Sequence, residues 1–578
     1  MIQPSDEQLG IIDAPMTPLS VIACAGSGKT FTAVRRLAQM RRQLGDHRGR
    51  VALLSFSNVA VDTFRQEYRS LIENASAAVA SNRVEISTLD GFITSHVLRT
   101  HAYRTMGAQQ AAFLVTGGEA FLAGFTLPTN TYPLEITKVQ VGIDDGGIYF
   151  FYSRNNRAYR LNSELAQQIV HRLGEVGAYT HNLGRYWCYR TLIHQPRILR
   201  ALAHRYPHIL IDEAQDIGTV HQAIIEQLIG AGCSVSLIGD PNQGIYEFAG
   251  ANGTFLTQYS QREGVDDLGL TRNYRSVPAV VDLANQLSAR NDIANRDAPD
   301  SKHGAYFVPY REAERENLVA AFRVAVLEAG LEIERSAVLC RGRDMADRLA
   351  GNQDAPGRGK VKTLARAAIL RDRHRDYHGA FKLVAAGIVN LLADPPQGLV
   401  ARLTQPARYP DDRDLLRLLW AYTRDPHSGL PSATLLGDTE WHPTLLQRTR
   451  ALLAQIAQAH GMASAANLGN KLARRGLSNA PLSFAADLAE NNDAPRIRVD
   501  TVHQAKGESL DAVMYLASRP HVNAFLAGVD TELGRIGYVA ATRARNLLWL
   551  GVPANSLEGL RPELLKRGFQ QLNAMGPN

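Results

Sequence analysis

A lysine and a threonine close the run Ala23-Cys24-Ala25-Gly26-Ser27-Gly28-Lys29-Thr30, and both stand where phosphate chemistry needs them. Small residues at Ala25, Gly26, Ser27 and Gly28 let successive backbone N–H groups turn inward onto a triphosphate, and a helix that starts at once adds its positive end. Lys29 then reaches the β- and γ-phosphates, and Thr30 offers its hydroxyl to Mg²⁺. Only nine of the chain's 63 Lys and Arg residues are lysine. A lysine here therefore runs against the composition, and its compact charge suits a phosphate cradle better than an arginine fork. A Gly/Ser turn between a strand and a helix is the plain alternative.

A second half of such a site is present in His208-Ile209-Leu210-Ile211-Asp212-Glu213, an apolar run that ends in two acids. At the C-terminal edge of a parallel sheet, where open α/β sheets bind their ligands, Asp212 would hold Mg²⁺ and Glu213 would polarise the attacking water. A solvated acidic helix start has the same composition, but loses force beside the phosphate loop. Arg275 in Leu270-Thr271-Arg272-Asn273-Tyr274-Arg275-Ser276 and Arg543 in Tyr538-Val539-Ala540-Ala541-Thr542-Arg543 follow in order. Each stands beside a strand or helix end, where a guanidinium stabilises charge on a transferring phosphoryl group. Taken singly, each is equally a surface arginine.

The elements that must position these groups are short apolar strands separated by helical patterns, which predict an α/β fold. Ser20–Cys24, Val51–Phe56, Val84–Ser87, Ile209–Ile211 and Val235–Ile238 form one series. A second series comprises Leu268–Leu270, Tyr306–Val308, Ala337–Cys340, Ile497–Val502, Ala512–Leu516 and Leu547–Gly551. The expected fold is two tandem RecA-like P-loop NTPase-type parallel sheets, each with an inserted domain. The first sheet would take residues 1–94 and 207–255, with residues 95–206 inserted around a β-hairpin at Asp144-Asp145-Gly146-Gly147. The second would take 256–343 and 494–578, with a mainly helical insertion over 344–493.

At 578 residues, with 45% hydrophobic and 21% charged residues, the chain is an ordinary multidomain globular protein. A net charge of +7 favours a polyanionic partner, although an arginine-rich composition yields the same excess. Arg358, Lys360, Lys362, Arg366, Arg371, Arg373 and Arg375 cluster at the start of the second insertion, where they would meet duplex phosphates or form a solvated helix face. Four widely spaced cysteines predict reduced, mostly buried thiols. With no membrane-length apolar run and no signal-like N-terminus, the expected location is the cytoplasm.

The motifs, in their order along the chain, resemble those of the UvrD/Rep/PcrA-like group of superfamily 1 DNA helicases, over nearly all of both α/β units. Besides the phosphate loop, the Asp-Glu pair and the two arginine segments, these include Pro4-Ser5-Asp6-Glu7-Gln8, Ser55-Phe56-Ser57-Asn58, Thr88-Leu89-Asp90-Gly91-Phe92, Gly239-Asp240-Pro241-Asn242-Gln243-Gly244-Ile245-Tyr246 and Asp500-Thr501-Val502-His503-Gln504-Ala505-Lys506-Gly507-Glu508. The resemblance implies that Gln8 reads adenine, that Gln243, Arg275 and Arg543 serve the γ-phosphate, and that Glu508 touches the ribose. It also implies DNA contacts at Phe56, Asn58, Thr88, Phe92, Tyr246, Phe248 and His503. Aromatic faces at Phe56, Phe92, Tyr246 and Phe248 would stack on bases at about 1–3 kcal/mol each, unless they are core residues.

The chain departs from the pattern at three places. Phe248-Ala249 replaces Trp-Arg, Asp90 stands where a histidine contacts DNA and would repel phosphate, and Glu508-Ser509 replaces a Leu-Glu order. The implied activity is an ATP- and Mg²⁺-dependent 3′ to 5′ translocase on single-stranded DNA that unwinds duplex DNA, in repair or defence. Two alternatives stay open. One is the ATPase subunit of a nuclease-coupled anti-phage complex such as Gabija, with a nuclease or other protein partner. The other is a DNA-bound ATP switch that does not unwind.

Overall fold

The computed structural model describes residues 3–45, 47–73, 83–115, 117, 119–129, 133–154, 157–247, 250–251, 253–349, 357, 359–373, 375–396, 399–404, 410–483 and 497–572. It divides into one unit of Met1–Ala346 with Ile497–Asn578 and another of Asp347–Arg496.

The first unit carries two parallel sheets. Leu19–Ala23 (β1), Val51–Ser55 (β2), Val84–Thr88 (β3), His208–Ile211 (β4), Ser234–Gly239 (β5) and Asp266–Leu270 (β6) pair in the order β6-β1-β5-β4-β2-β3. Every pairing is parallel. Covered on both faces, such strands bury nearly every residue rather than alternating, as β2 does over all five positions. The second sheet contains Gly304–Tyr310 (β7), Ser336–Cys340 (β8), Arg498–Thr501 (β9), Leu510–Leu516 (β10), Ala544–Pro553 (β11) and Gln570–Gln571 (β12), in the order β9-β8-β10-β11-β7-β12. It too is parallel throughout, so the expectation of two parallel α/β sheets holds.

One strand changes sheet. Leu268–Leu270 was expected to open the second series, but β6 pairs with β1 from Leu19↔Asp266 to Ala23↔Leu270. The first α/β unit therefore runs to Leu270 rather than stopping at 255. A three-residue apolar run says nothing about which strand it will join, and here the five-residue register with β1 decides it.

Between β3 and β4 the chain forms helices, among them His181–His194, and a three-stranded antiparallel sheet of Gln140–Asp144, Gly147–Arg154 and Arg157–Arg160. One apolar core runs without a break from Leu54 and Leu237 of the first sheet to Phe92 and Trp187.

The second unit is helical, built on Gly359–Asp372, Tyr377–Val389, Arg413–Arg424 and His442–His460 around the fully buried Trp441. Its basic run is not a continuous phosphate-facing stripe. The Arg371 side chain is 2% exposed and donates to Thr423 O at 3.2 Å, Pro431 O at 3.1 Å and Leu430 O. It is an internal strut that satisfies loop carbonyls. Arg366 lies 3.6 Å from Asp347, and Arg358 is outside the described residues. Among the described residues no helix is long and apolar enough to cross a membrane.

Candidate nucleotide site between the two sheets

The phosphate loop leaves β1 and enters the helix Lys29–Leu44 through Gly28 at φ 80°. Gly26 also lies in the left-handed region, at φ 76°, where a side chain is strained. A Cβ at Gly26 would in addition stand 2.5 Å from Arg275 Cβ, so glycine is what admits the arginine segment. Ser27 Oγ donates to Cys24 O at 2.9 Å, and Lys29 Nζ to the same oxygen at 3.4 Å, which folds the ammonium over the loop. Gln8 is held in a capping box with Ser5 and donates from Nε2 to Ser27 O at 3.1 Å. It therefore sits against the loop. Asn273 Nδ2 donates to Ala25 O at 2.7 Å, and Tyr274 N to Gly26 O at 2.9 Å.

Asp212 and Glu213 follow β4. Asp212 is 2% exposed, and its Oδ1 has no hydrogen-bond partner. Burial, and then the charge of Glu213, push its carboxyl up to about 8. Glu213 has a left-handed backbone at φ 55°, a strain that a non-glycine residue keeps only where its surroundings enforce it. Burial works to raise its carboxyl as well, but Lys29 and then Lys506 outweigh that and hold it below the usual range. A buried, unpartnered carboxylate oxygen within electrostatic reach of Lys29 fits Mg²⁺, which takes most of its ligands from phosphate and water. Accordingly, no cluster of three or more His, Cys, Asp or Glu that could cage a metal occurs among the described residues.

Cations from the second sheet and the inter-sheet segment close the site. Arg543 is buried and donates from Nη2 to Gln243 Oε1 at 2.8 Å, from Nη1 to Glu508 O at 3.3 Å and from Nε to Val539 O at 3.1 Å. Gln243 in turn donates to Asp240 Oδ2 at 2.8 Å. Arg275 donates to Thr542 O at 3.0 Å, and burial together with the neighbouring Arg543 charge lowers its guanidinium to about 9. Two groups not singled out from the sequence complete the contact. Lys506 Nζ meets Asp216 Oδ1 at 2.5 Å and Oδ2 at 2.7 Å, with both side chains nearly buried. Arg535 donates to Gly244 O at 2.7 Å and Glu247 Oε2 at 2.6 Å. Lys506 lies inside the Asp500–Glu508 segment already read for other residues, whereas Arg535 lies in no segment read from the sequence. What the sequence lacks is any local sign that they reach across to the other sheet.

The expected DNA-side residues divide. Phe56 is half-buried, and Asn58 is exposed after β2. Thr88 caps the turn after β3, accepting from Gly91 N at 2.9 Å. Tyr246 is half-buried, with Lys506 Nζ 4.7 Å from its ring centroid and the His503 ring 5.8 Å away. Phe92 is a correction: it is 0% exposed and packs edge-on to His96 and Tyr206 at 4.9 Å, so its ring serves the core and presents no face to a base. Phe248 lies outside the described residues. Glu508 is already held by Arg498, at 2.7 and 3.0 Å. Asp90 is not the bare carboxylate its type implies, because Arg185 and His221 both donate to it.

The UvrD/REP helicase N-terminal domain family matches residues 5–138 and 135–263. Over those residues, fewer than half of its 578, this chain is similar to that family. The chain is 25% identical over 368 residues to the YjcD protein of Bacillus subtilis, covering 59% of this chain and 47% of that one. With DNA helicase II of Haemophilus influenzae the identity is 24% over 360 residues, 59% and 49% of the two chains. With the ATP-dependent DNA helicase UvrD2 of Mycobacterium tuberculosis it is 23% over 437 residues, 69% and 62%. The chain thus spans about half the length of the first two of these relatives and somewhat more of the third.

Proposed function

We propose that this UvrD-like chain is an ATP-dependent translocase on single-stranded DNA that unwinds duplex DNA, moving 3′ to 5′. The observation that carries the reading is the bond from Arg543, beyond the second insertion, to Gln243, in the first sheet's loop after β5. A phosphoryl-transfer site assembled from two sheets makes hydrolysis depend on their approach, which is what a motor requires.

In this reading the loop N–H groups and Lys29 bind the triphosphate, and Gln8 reads the base. Glu213, held ionised by Lys29 and Lys506, orients the attacking water. Arg275 and Arg543 stabilise charge on the transferring group. Thr30 and Asp212 would hold Mg²⁺, which when bound neutralises phosphate charge. Tyr246 follows Gln243 by three residues and lies between Lys506 and His503, so nucleotide state reaches the DNA side through one short segment. Phe56, Asn58, Thr88 and His503 line the strand's path.

The test is ATP hydrolysis with and without single-stranded oligonucleotide, followed by strand displacement on 3′- and 5′-tailed duplexes. Stimulated hydrolysis with unwinding of the 3′-tailed substrate is expected. Stimulation without displacement would turn the reading to a switch, and displacement only with an added nuclease would turn it to a coupled subunit.

A further inference from the structure

At the ends of β2 and β3, where Ser55 pairs with Thr88, a carboxylate stands on the path proposed for a polyanion. Asp90 Oδ1 accepts from Arg185 Nε at 2.9 Å and from His221 Nε2 at 2.9 Å, and its Oδ2 accepts from Arg185 Nη2 at 2.6 Å. Arg185 comes from the insertion, on His181–His194, and His221 from the helix Thr219–Gly230. The His221 side chain is 5% exposed, whereas Arg185 is 29% and Asp90 47% exposed. The trio is thus closed behind by imidazole and open in front.

A guanidinium has five N–H donors in a fixed plane. Asp90 takes the one on Nε and one of the two on Nη2, which leaves Nη1 without a protein hydrogen-bond partner among the described residues. The fork cannot rotate while both bonds hold. Its free edge is therefore aimed, and the carboxylate that would repel a phosphate is already matched by a positive charge. Phe56 lies against the same trio, its ring centroid 5.6 Å from that of His221 at 75°, and Asn58 is exposed beside it.

We propose that Arg185 binds a backbone phosphate of single-stranded DNA at the end of β3, with Asp90 as the counter-charge that its guanidinium covers. This rests on the translocase reading above. Aromatic Phe56 and a charge-assisted donor at Arg185 would together hold one nucleotide by base face and phosphate. The inserted region would then supply the contact that its residue type denies to position 90.

The roles predict opposite signs. Arg185→Ala leaves Asp90 as an uncompensated charge in the path, and affinity for a labelled oligonucleotide should fall about tenfold or more. Asp90→Asn keeps an acceptor for His221 while freeing the guanidinium charge, and affinity should be unchanged or tighter. Removing both charged groups should bind better than Arg185→Ala alone. Thermal unfolding and hydrolysis without DNA identify variants that fold. Should Arg185→Ala fold poorly, Asp90→Asn and Arg185→Lys still decide: the lysine should keep part of the affinity at low salt and lose it at higher salt. If wild type binds oligonucleotide and Arg185→Ala binds equally well, or if Asp90→Asn weakens binding as much as Arg185→Ala, the pair is an internal strut and this proposal fails alone. No binding by wild type would remove the translocase reading and this role together.

Discussion

Arg543 and Gln243 are three hundred residues apart in the chain, yet they share a 2.8 Å hydrogen bond, and Gln243 passes it on to Asp240 at 2.8 Å. Tyr538 OH lies 3.4 Å from the same Asp240 oxygen. Groups of both sheets are thereby joined in one buried relay. Arg543→Lys keeps the charge but loses the fork, so kcat should fall by about 10³ with little change in ATP affinity. Gln243→Ala leaves a guanidinium N–H unpaired and should remove stimulation by single-stranded DNA while oligonucleotide affinity holds. Steady-state hydrolysis beside nucleotide and oligonucleotide titrations reads both.

Lys29 and Glu213 should fail differently. Lys29→Ala removes the charge that the phosphates meet, so nucleotide affinity and turnover fall together. Glu213→Gln keeps shape and phosphate contacts but loses the group that orients water, so ATP should bind and persist. A fluorescent ATP analogue, titrated beside a phosphate-release assay, separates them, and wild-type turnover in Glu213→Gln would sink the assignment.

Lys506 and Asp216 are 8% and 7% exposed at the side chain. Removing one partner from such a pair leaves a buried charge alone, at a cost of about 3–5 kcal/mol. Lys506→Ala should lower the denaturant midpoint accordingly, and Lys506→Met with Asp216→Leu should recover much of the loss. The single variant should also weaken Glu213 as a base, since Lys506 helps to keep that carboxylate ionised.

His503 predicts an acid response. Burial, and then the charge of Arg341, lower its imidazole to about 4 from the ordinary value of 6.5. The contribution of a neutral, half-buried His503 to stability is complete above about pH 6.5 and is lost as pH falls through 4. His503→Gln should therefore lose less stability than wild type between those limits, in urea midpoints measured across pH. Between pH 7 and 8 the two should run parallel.

The residues proposed to face the nucleotide from the first sheet could be picked out because their signal is local. A loop of small residues before a lysine, and a strand that ends in acids, each declare a role within a dozen positions. What was not legible depends on the distant partner. Leu268–Leu270 looks like any short strand until the register with β1 assigns it to the first sheet. Phe92 has the residue type of a base-stacking platform, but it turns toward His96 and Tyr206. Arg371 reads as part of a basic surface and is spent inside on three carbonyls. Lys506 and Arg535 gave no sign, because nothing next to either in the chain says what it will meet.

The crossing from β6 into the second sheet is short at its centre. Tyr274 is tied to the phosphate loop through Gly26 O at 2.9 Å, while Ser276 is tied to the second sheet through Ala544 O at 2.7 Å. Arg275 lies between these anchors, and under the translocase reading this crossing would be the axis about which the halves turn. A side chain rooted on an axis is reoriented by rotation but scarcely carried away, whereas Arg543, off that axis, sweeps through an arc. Opening about it would thus withdraw one guanidinium, leave the other beside the loop and keep one cation at hand for the next nucleotide.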